Sequence, residues 1–458
     1  MSSAYKTLGV GHMDDTLTKE RSQSQKMSVV ACVMWALGAI FYCYEYYLRV
    51  APSVMTSDLA LAYNADAATL GNLAAFYYYA YTSMQIPVGV LMDRFGPRRI
   101  LTIACFLCSA GSYLFCATDQ FWVAAIGRFL VGFGSAFAYV GVLKLTTLWL
   151  PSNLFAMFSG LATTLGMVGA ISGDLVMTEL VRVMGWKDTV YYSAVAGLIL
   201  TPVLWTFLRE KNPSSELLEL PHASTPSVET LPETDTVISG LLKVIRNPQM
   251  WINGFFGCAS YMIITTFAEL WGIPFLRDVR HLSPEAAAVA NSAIFLGFAF
   301  GGPIMGLASD RMNLRRLPMI LGAILASICI IIAMYVPYIS AGWLNVLLFL
   351  AGFFSGAEVI VFAVGRDNNE PHLVGTAVAF TNMVVMLGGV IFQPITGVLL
   401  DLFADGSAIN GIRVYSTHDY QWAMASLPAM LVLGSLVIML FMKETHGVYT
   451  PKLKSEKR

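Results

Sequence analysis

Long apolar runs, separated by short polar segments, occupy most of this chain. A helix needs about 20 mainly apolar residues to cross the hydrocarbon core of a bilayer, and twelve runs meet that length. We number them span 1 to span 12, at residues 28–50, 69–91, 99–118, 122–149, 153–178, 189–208, 251–275, 285–308, 317–337, 342–365, 374–400 and 422–442. The first helix is expected to continue to about Ala60. The pattern predicts an all-α membrane protein with twelve transmembrane helices.

The polar segments divide the chain into five regions. We predict an N-terminal cytoplasmic tail at 1–27, a six-helix bundle at 28–208, a cytoplasmic linker at 209–247, a second six-helix bundle at 248–442 and a C-terminal cytoplasmic tail at 443–458. The start of the linker is rich in Pro, Ser, Thr and Glu, as flexible connections are. The end of the linker has one apolar face at helical spacing, which predicts an interfacial helix.

The amount and placement of charge agree with a membrane protein. Only 12% of the residues are charged and 56% are hydrophobic, whereas soluble domains carry about a quarter charged residues. Lys and Arg concentrate in both tails and in the loops after even-numbered spans, while the opposite loops hold few, such as Arg182 and Lys187. Basic residues mark the cytoplasmic side. We therefore expect a multi-pass protein of a bacterial inner membrane with both termini in the cytoplasm.

One loop pattern occurs twice. The segment after span 2, residues 89–99, reads GVLMDRFGPRR, and the segment after span 8, residues 306–316, reads GLASDRMNLRR. Their shared Gly, Asp and Arg residues keep an offset of 217 residues. A second match joins FLVGFGS at 129–135 in span 4 to FLAGFFS at 349–355 in span 10, at an offset of 220. Two matches at nearly equal offsets indicate a duplicated six-helix unit.

The chemistry of the repeated loop predicts a gate at the cytoplasmic face. Asp93 is expected at the end of span 2, where the positive N-terminus of span 11 would attract it, and Asp310 has the same relation to span 5. The loop glycines permit close helix contact, and the arginines bind anionic headgroups; plain anchoring is the alternative role for the arginines. The predicted gate residues are Gly89, Asp93, Arg94, Arg98, Gly306, Asp310 and Arg311.

These motifs point to one family. The pattern G-x-L-x-D-R-x-G-x-R-R resembles the signature loop of the major facilitator superfamily, and Arg128 with Gly132 resembles the fourth-helix motif of that superfamily. The resemblance covers essentially the whole chain. It implies two pseudo-symmetric six-helix bundles, alternating access and a central cavity between them. The second loop departs from the pattern, because Asn313 replaces the glycine.

Span 1 carries two charges inside the membrane, where a charge is costly and by default functional. Tyr42, Glu45 and Arg49 share one helical face, and the spacing of Glu45 and Arg49 favours an ion pair. The stretch around Arg49 resembles the first helix of the superfamily's organic-anion symporters and of nutrient-uptake members in intracellular Gram-negative bacteria. That resemblance implies that Arg49 binds a carboxylate, with Glu45 as a proton-coupling group; a self-satisfied structural pair is the alternative. The chain departs from the symporters at Leu48 and Ser135, where they carry acids.

Further polar residues within the spans are candidates. Glu269 and Glu358 are predicted to carry protons, or else to form structural hydrogen bonds, and Arg128 is predicted to position helices of the first half. Packing is the alternative role for the tyrosines, and helix bridging is the alternative for the amides. The candidate substrate-binding residues are Tyr42, Arg49, Tyr78, Tyr81, Gln85, Asn382 and Gln393.

The sequence predicts a secondary active transporter that imports a small anionic or zwitterionic organic solute together with protons. Carboxylates, sugar acids, amino acids and carboxylate siderophores fit this description. Proton-coupled efflux of amphipathic compounds and a non-transporting receptor are the alternatives. The sequence has no phosphate-binding loop and no metal-ligand spacing, so we expect no enzyme activity, cofactor or metal. The expected partners are the solute, protons and the bilayer, with no nucleic acid, and the protein is expected to be a monomer.

Overall fold

The computed structural model describes residues 29–151, 154–210, 237–404, 408–409 and 412–447. The predicted N-terminal tail and most of the predicted linker and C-terminal tail lie outside these residues. Within them, 11 helical stretches are long and apolar enough to cross a membrane. The remaining predicted span, span 2, forms helix Ala67–Met84 followed by helix Pro87–Phe95. Twelve spans are therefore consistent with the structure.

The first half of the chain forms spans 1 to 6, joined by short connections. Proline begins two of its helices, at Pro87 and Pro97, where the missing N–H costs no helical hydrogen bond. The chain bends at Met55 and continues as a short helix, as expected for a first helix that runs on towards Ala60. The helices are Val29–Val54, Thr56–Tyr63, Ala67–Met84, Pro87–Phe95, Pro97–Ala117, Phe121–Ser135, Ala138–Trp149, Phe155–Met184 and Trp186–Phe207.

The second half forms spans 7 to 12, with irregular segments within two spans and a short 3-10 helix, Pro371–Leu373, before span 11. Span 7 includes a π-helix at Ile263–Trp271, and span 10 includes a 3-10 turn at Gly356–Val359. The α-helices are Val237–Arg246, Pro248–Met262, Gly272–Asp278, Pro284–Met312, Arg316–Tyr335, Ala341–Ser355, Ile360–Asp367, Val374–Phe403, Thr417–Ala423 and Ser426–Phe441. A two-residue hairpin pairs Ala408–Ile409 with Ile412–Arg413. Mid-helix irregularities of this kind are common at functional sites, and here they carry Glu269 and Glu358.

The sequence repeat is also a repeat of packing. A Cβ on Gly132 would lie 2.0 Å from the carbonyl oxygen of Tyr77, and a Cβ on Gly352 would lie 2.0 Å from that of Ile294. Gly352 follows Gly132 by the offset of the second match, and Ile294 follows Tyr77 by the offset of the first. Spans 4 and 2 thus touch backbone to backbone as spans 10 and 8 do, because glycine alone permits that approach.

The two halves meet along three pairs of spans: 1 with 7, 2 with 11, and 5 with 8. We call the membrane side where span 1 begins and span 12 ends the terminal side, and the other the opposite side. Near the terminal side, no atom of a neighbouring element lies within 4 Å of where a Cβ would stand on Gly89, Gly160 or Gly375. Towards the opposite side, a Cβ on Gly397 of span 11 would lie 2.2 Å from the carbonyl oxygen of Ala67 in span 2. The halves are therefore tightly packed at this contact on the opposite side.

Candidate functional site

Three charged side chains meet where span 1 faces span 7. Arg49 Nη2 donates to Glu45 Oε1 at 3.2 Å, one helical turn away, and Arg49 Nη1 lies 3.8 Å from Glu269 Oε1. None of the three residues is more than 2% exposed. Glu45 and Arg49 come from the first half, whereas the π-helix of span 7 supplies Glu269. One cation is thus shared by two carboxylates across the boundary between the halves.

Tyrosine rings surround the guanidinium of Arg49. Its Cζ lies 4.1 Å from the ring centre of Tyr46, 5.1 Å from that of Tyr77 and 5.0 Å from that of Tyr81. The electron-rich faces of such rings attract a cation, and the attraction grows when water is excluded. The aromatic residues of spans 1 and 2 therefore form a low-dielectric pocket around a positive charge.

Phenol hydroxyls of span 2 hold the two acids. Tyr77 donates to Glu45 Oε2 at 3.1 Å, and Tyr78 donates to Glu269. Tyr46 and Tyr261 bring their hydroxyls to 3.4 Å across the same boundary. Consecutive residues of one helix thus reach the acid of each half, so a movement of span 2 relative to span 7 must alter the environment of Glu269.

Arg49 retains donors without acceptors. Its Nε and Nη1 are buried and make no hydrogen bond to any described residue. An arginine side chain carries five N–H donors, and a buried donor left unpaired costs free energy. Because the unpaired donors belong to a cation, an anionic acceptor is the partner that would satisfy them best.

Arg128 has a different setting from Arg49. It donates to the backbone carbonyls of Leu48 at 3.0 Å and Arg49 at 3.2 Å, and its Cζ lies 5.3 Å from the ring centre of Tyr77. These bonds attach span 4 to the turn of span 1 that carries Arg49. The Nε of Arg128, like that of Arg49, is buried without a hydrogen bond to a described residue.

The structure brings Gln85 and Asn382 together but places Gln393 and Tyr42 in other contacts. Gln85 and Asn382 bond at 2.6 Å between spans 2 and 11, on the terminal side of the charged cluster. Gln393 instead donates to the backbone of Thr265 at 2.6 Å and bridges spans 11 and 7. Tyr42 packs edge-on against Tyr46, with the ring centres 5.1 Å apart.

Glu358 stands apart from the cluster around Arg49. It is 4% exposed, in the 3-10 turn of span 10, and no other described residue is bonded to its carboxylate. The two predicted proton carriers of the second half therefore differ, because Glu269 shares the cation with Glu45 and Glu358 does not.

Comparison with known proteins identifies the architecture. A family model described as Major Facilitator Superfamily matches residues 34–392 and 271–457 of the chain. The chain belongs to the Major Facilitator Superfamily. This match confirms the family that the loop motifs indicated, and it confirms the expectation of a transporter rather than an enzyme. The chain is therefore a multi-pass membrane protein.

Relatives within the superfamily align over most of their length. The "Probable galactarate/D-glucarate transporter" of Escherichia coli (strain K12) is 24% identical over 84% of this chain and 91% of its own. The "Hexuronate transporter" of Bacillus subtilis (strain 168) is 24% identical over 91% of this chain and 95% of its own. The "Gentisate transporter" of Corynebacterium glutamicum is 21% identical over 96% of this chain and 95% of its own.

Solved structures of the superfamily share the fold. A bacterial homolog to the human lysosomal transporter Spinster superposes with a TM-score of 0.69 at 17% identity, over 91% of this chain and 96% of that one. A D-xylose-proton symporter superposes with a TM-score of 0.66 at 14% identity, over 92% and 99% of the two chains. At these identities the likeness concerns the fold alone, and it confirms the predicted fold class.

The signature loops of the superfamily make contacts within their own halves. Asp93 Oδ1 accepts from Lys144 Nζ at 2.8 Å, and both side chains belong to the first half. Asp310 Oδ1 accepts from Arg315 at 2.5 Å, and Arg315 also reaches Asp367 at 3.2 Å. The predicted gate aspartates thus have partners in this conformation other than the helix N-termini that the sequence suggested.

A related contact secures the second loop. Glu444 accepts the backbone N–H groups of Arg315 at 2.8 Å and Arg316 at 3.0 Å, at the start of span 9. Burial tends to raise the pKa of Glu444, but these backbone donors outweigh burial and hold the pKa below its usual value. The carboxylate therefore stays charged at neutral pH and ties the end of span 12 to this loop.

Helix capping between the halves occurs on the opposite side. Asp401, at the end of span 11, accepts the backbone N–H of Ala67 at 3.3 Å and of Ala68 at 2.7 Å, at the N-terminus of span 2. Arg182, at the end of span 5, lies 3.7 Å from Glu285 at the start of span 8. An aspartate at one helix end meeting a helix N-terminus of the other half is the contact predicted for Asp93, but here Asp401 makes it at the other face.

Several side chains that contact the candidate site or join the halves were not among the sequence candidates. Tyr46 and Tyr77 touch Arg49 but resemble packing tyrosines in a run of aromatic residues. Asp401 follows an apolar span and resembles any loop acid. Asp174, inside span 5, is fully buried, and its position within an apolar span was the signal that could have identified it.

The Asp401→Asn variant is expected to weaken the contact between spans 11 and 2 and so to favour opening of the opposite side. A charge at a helix N-terminus contributes up to about 2 kcal/mol when partly buried, and the amide loses that charge. The equilibrium should shift towards opening by about 1 kcal/mol, or roughly fivefold. Spin labels at Val183→Cys and Tyr338→Cys, placed on the two halves in a background without native cysteines, report the separation of that side.

Asp119→Asn provides the matched control. Asp119 pairs with Lys187 at 2.6 Å on the same side, but both residues belong to the first half. This variant should leave the distance distribution unchanged. An Asp401→Asn distribution indistinguishable from that of the parent would contradict a latch at this contact.

Proposed function

We propose that this protein is a secondary transporter of a small organic anion, in which Arg49 binds a carboxylate of the solute. The unpaired donors of the buried Arg49 guanidinium, at the boundary between the halves, carry this proposal. Binding sites at such a boundary are what alternating access requires, because each half can rock about the bound solute. The tyrosine rings around Arg49 can pack against a sugar or aromatic ring of the same solute.

Proton coupling follows from the shared cation. Glu45 and Glu269 both depend on Arg49 for compensation of their charge. A solute carboxylate that binds Arg49 adds a third negative charge to one positive charge in a buried site. Uptake of a proton by one glutamate restores the balance, so the anion and a proton move together. Tyr78 and Tyr77 remain hydrogen-bonded to a carboxyl in either state.

The proposed direction is import across a bacterial inner membrane. The excess of Lys and Arg assigns the terminal side, with both termini, to the cytoplasm. The opposite side, closed by Asp401 and by Arg182 with Glu285, is then the periplasmic face. We assign the structure to a conformation closed to the periplasm. The chain would consist of two six-span units, 28–208 and 248–442, joined by a linker at 209–247.

The relatives favour acids over other solutes. The names of the aligned proteins specify galactarate or D-glucarate, hexuronate and gentisate, and each of these compounds carries at least one carboxylate. A carboxylate with neighbouring hydroxyls matches a site with one arginine and several phenols. A sugar acid or hydroxylated aromatic acid is therefore the proposed solute class, with amphipathic efflux as the alternative.

Uptake and binding together test the proposal. Purified protein should gain thermal stability with D-glucarate, galactarate, D-glucuronate or gentisate, but not with the uncharged D-glucose. Proteoliposomes should accumulate the stabilising acid when an inward proton gradient is imposed, and a protonophore should abolish this accumulation. Stabilisation by amphipathic cations without any response to acids would support the efflux alternative instead.

A further inference from the structure

Another buried carboxylate, outside the cluster around Arg49, lies between the halves. Asp174 of span 5 is 0% exposed. Its Oδ2 accepts from Asn291 Nδ2 at 2.8 Å and from Ser292 Oγ at 3.3 Å, and both partners belong to span 8. Asn291 Nδ2 also donates to the backbone oxygen of Ala268 in span 7 at 2.8 Å. The carboxyl group therefore joins spans 5, 8 and 7 at the side of the boundary that is closed.

The other oxygen of this carboxyl group lacks a partner. Asp174 Oδ1 is buried and makes no hydrogen bond to any described residue. None of the described Lys and Arg residues forms an ion pair with Asp174, and the titratable group that acts on it is the acidic Glu269. Two neutral donors do not compensate a buried full charge, whose desolvation costs several kcal/mol. The contact suits a neutral carboxylic acid.

We propose that Asp174 is a proton-binding residue of the transport cycle, and that closure of the opposite side takes up its proton. In the closed state the proton resides on Oδ1, while Oδ2 accepts from Asn291 and Ser292. When spans 5 and 8 separate, water reaches the carboxyl group and the proton leaves to solvent. One proton is bound on closing and one is released on opening, with no other reactant.

The surrounding charges are consistent with this assignment. The neighbouring acids and bases have partners of their own: Glu45 and Arg49 pair on span 1, and Arg182 bridges Glu179 and Glu285 at the end of the boundary. The acidic and basic side chains on spans packed against span 5 are Glu45 and Arg49 on span 1, Arg128 and Lys144 on span 4, Lys187 and Asp188 on span 6, and Glu285, Asp310 and Arg311 on span 8. Glu269 of span 7 follows Ala268, whose carbonyl accepts from Asn291.

The sign of the pH response follows from linkage. The closed state holds one more proton than the open state, so raising the pH favours opening. For a single group the ratio of open to closed molecules rises at most tenfold per pH unit. The response begins above about pH 4, where an exposed aspartate loses its proton. Between pH 5 and pH 8 the ratio should therefore grow, by at most a thousandfold.

Spin-label distances in lipid nanodiscs test the assignment. The pair Val183→Cys and Tyr338→Cys, in the cysteine-free background and without solute, should show the open population growing from pH 5 to pH 8. Asp174→Asn, which mimics the neutral acid, should stay closed and change less than twofold. Asp174→Glu keeps a titratable group and should keep a pH response with a displaced midpoint. Asp188→Asn, an exposed acid of the same side, should titrate like the parent.

Two outcomes would overturn the proposal: a parent that does not respond to pH, or an Asp174→Asn variant that titrates like the parent. If that variant does not fold, an Asp174→Glu midpoint equal to that of the parent is decisive against it. The assignment rests on the proposed alternating access but not on the solute. Failure of every organic acid to bind, with an intact Asp174-dependent response, would therefore reject the proposed solute class alone.

Discussion

Arg49→Lys is expected to reduce the affinity for the organic acid by about 10- to 100-fold, and Arg49→Ala to abolish detectable binding. Hydrogen bonds to a charged group contribute about 1.5–3 kcal/mol each, and lysine offers a point charge in place of a planar array of donors. Arg49→Lys keeps the positive charge beside Glu45 and Glu269, so the protein should remain folded. Isothermal titration with the acid that stabilises the parent measures the change.

The alanine variant is also expected to affect folding. It leaves two buried carboxylates without a cation, and removing one partner of a buried ion pair costs about 3–5 kcal/mol. Its thermal stability should therefore fall as well, whereas that of Arg49→Lys should fall much less. Arg182→Lys, at a surface ion pair, serves as the control and should bind like the parent. Normal affinity in Arg49→Lys would remove this residue from the site.

Gly132→Ala is expected to destabilise the first half by about 3 kcal/mol, at the upper end of overpacking costs. The added Cβ would stand 2.0 Å from the carbonyl oxygen of Tyr77, so spans 2 and 4 must separate. That separation also moves Tyr77 away from Glu45, so solute binding should weaken together with stability. Thermal unfolding followed by size-exclusion fluorescence in detergent measures the first effect, and titration measures the second.

The internal repeat supplies a second test of the same packing. Gly352→Ala meets the carbonyl oxygen of Ile294 at the same distance and should cost a similar stability, while leaving Tyr77 in place. Gly160→Ala, where nothing lies within 4 Å of the added methyl group, is the matched control and should unfold like the parent. Equal stability of Gly132→Ala and Gly160→Ala would disprove the close contact of the two backbones.

The fold followed from the chain because bilayer physics constrains it strongly. Apolar runs of the right length become helices, since backbone groups inside lipid have no other partners. The offset that relates Gly89 to Gly306 already implied two equivalent units, and the contacts of Gly132 and Gly352 have the corresponding relation in space. Irregular turns were not foreseeable, because the π-helix at Ile263–Trp271 has no distinctive residue pattern.

The candidate site was partly accessible to sequence reasoning. The ion pair of Glu45 and Arg49 is local, one helical turn apart, so spacing alone suggested it. Its connection to Glu269 depends on how span 7 faces span 1, more than two hundred residues away in the chain. The same limit applies to Gln393, whose amide pairs with a backbone carbonyl of span 7 instead of facing the cluster.

Local patterns were thus sufficient for the spans, the duplication, the family and the Glu45–Arg49 pair, because each depends on neighbours in the chain or on an offset within it. The remaining contacts depend on how the two halves dock. Arg49 lies beside Glu269, Asp401 caps span 2, and Asp174 accepts a hydrogen bond from span 8. These contacts join residues that are distant in sequence. From the sequence alone, each of these three acids could have paired with several different helix N-termini or side-chain donors. The packing of whole bundles selected among these partners.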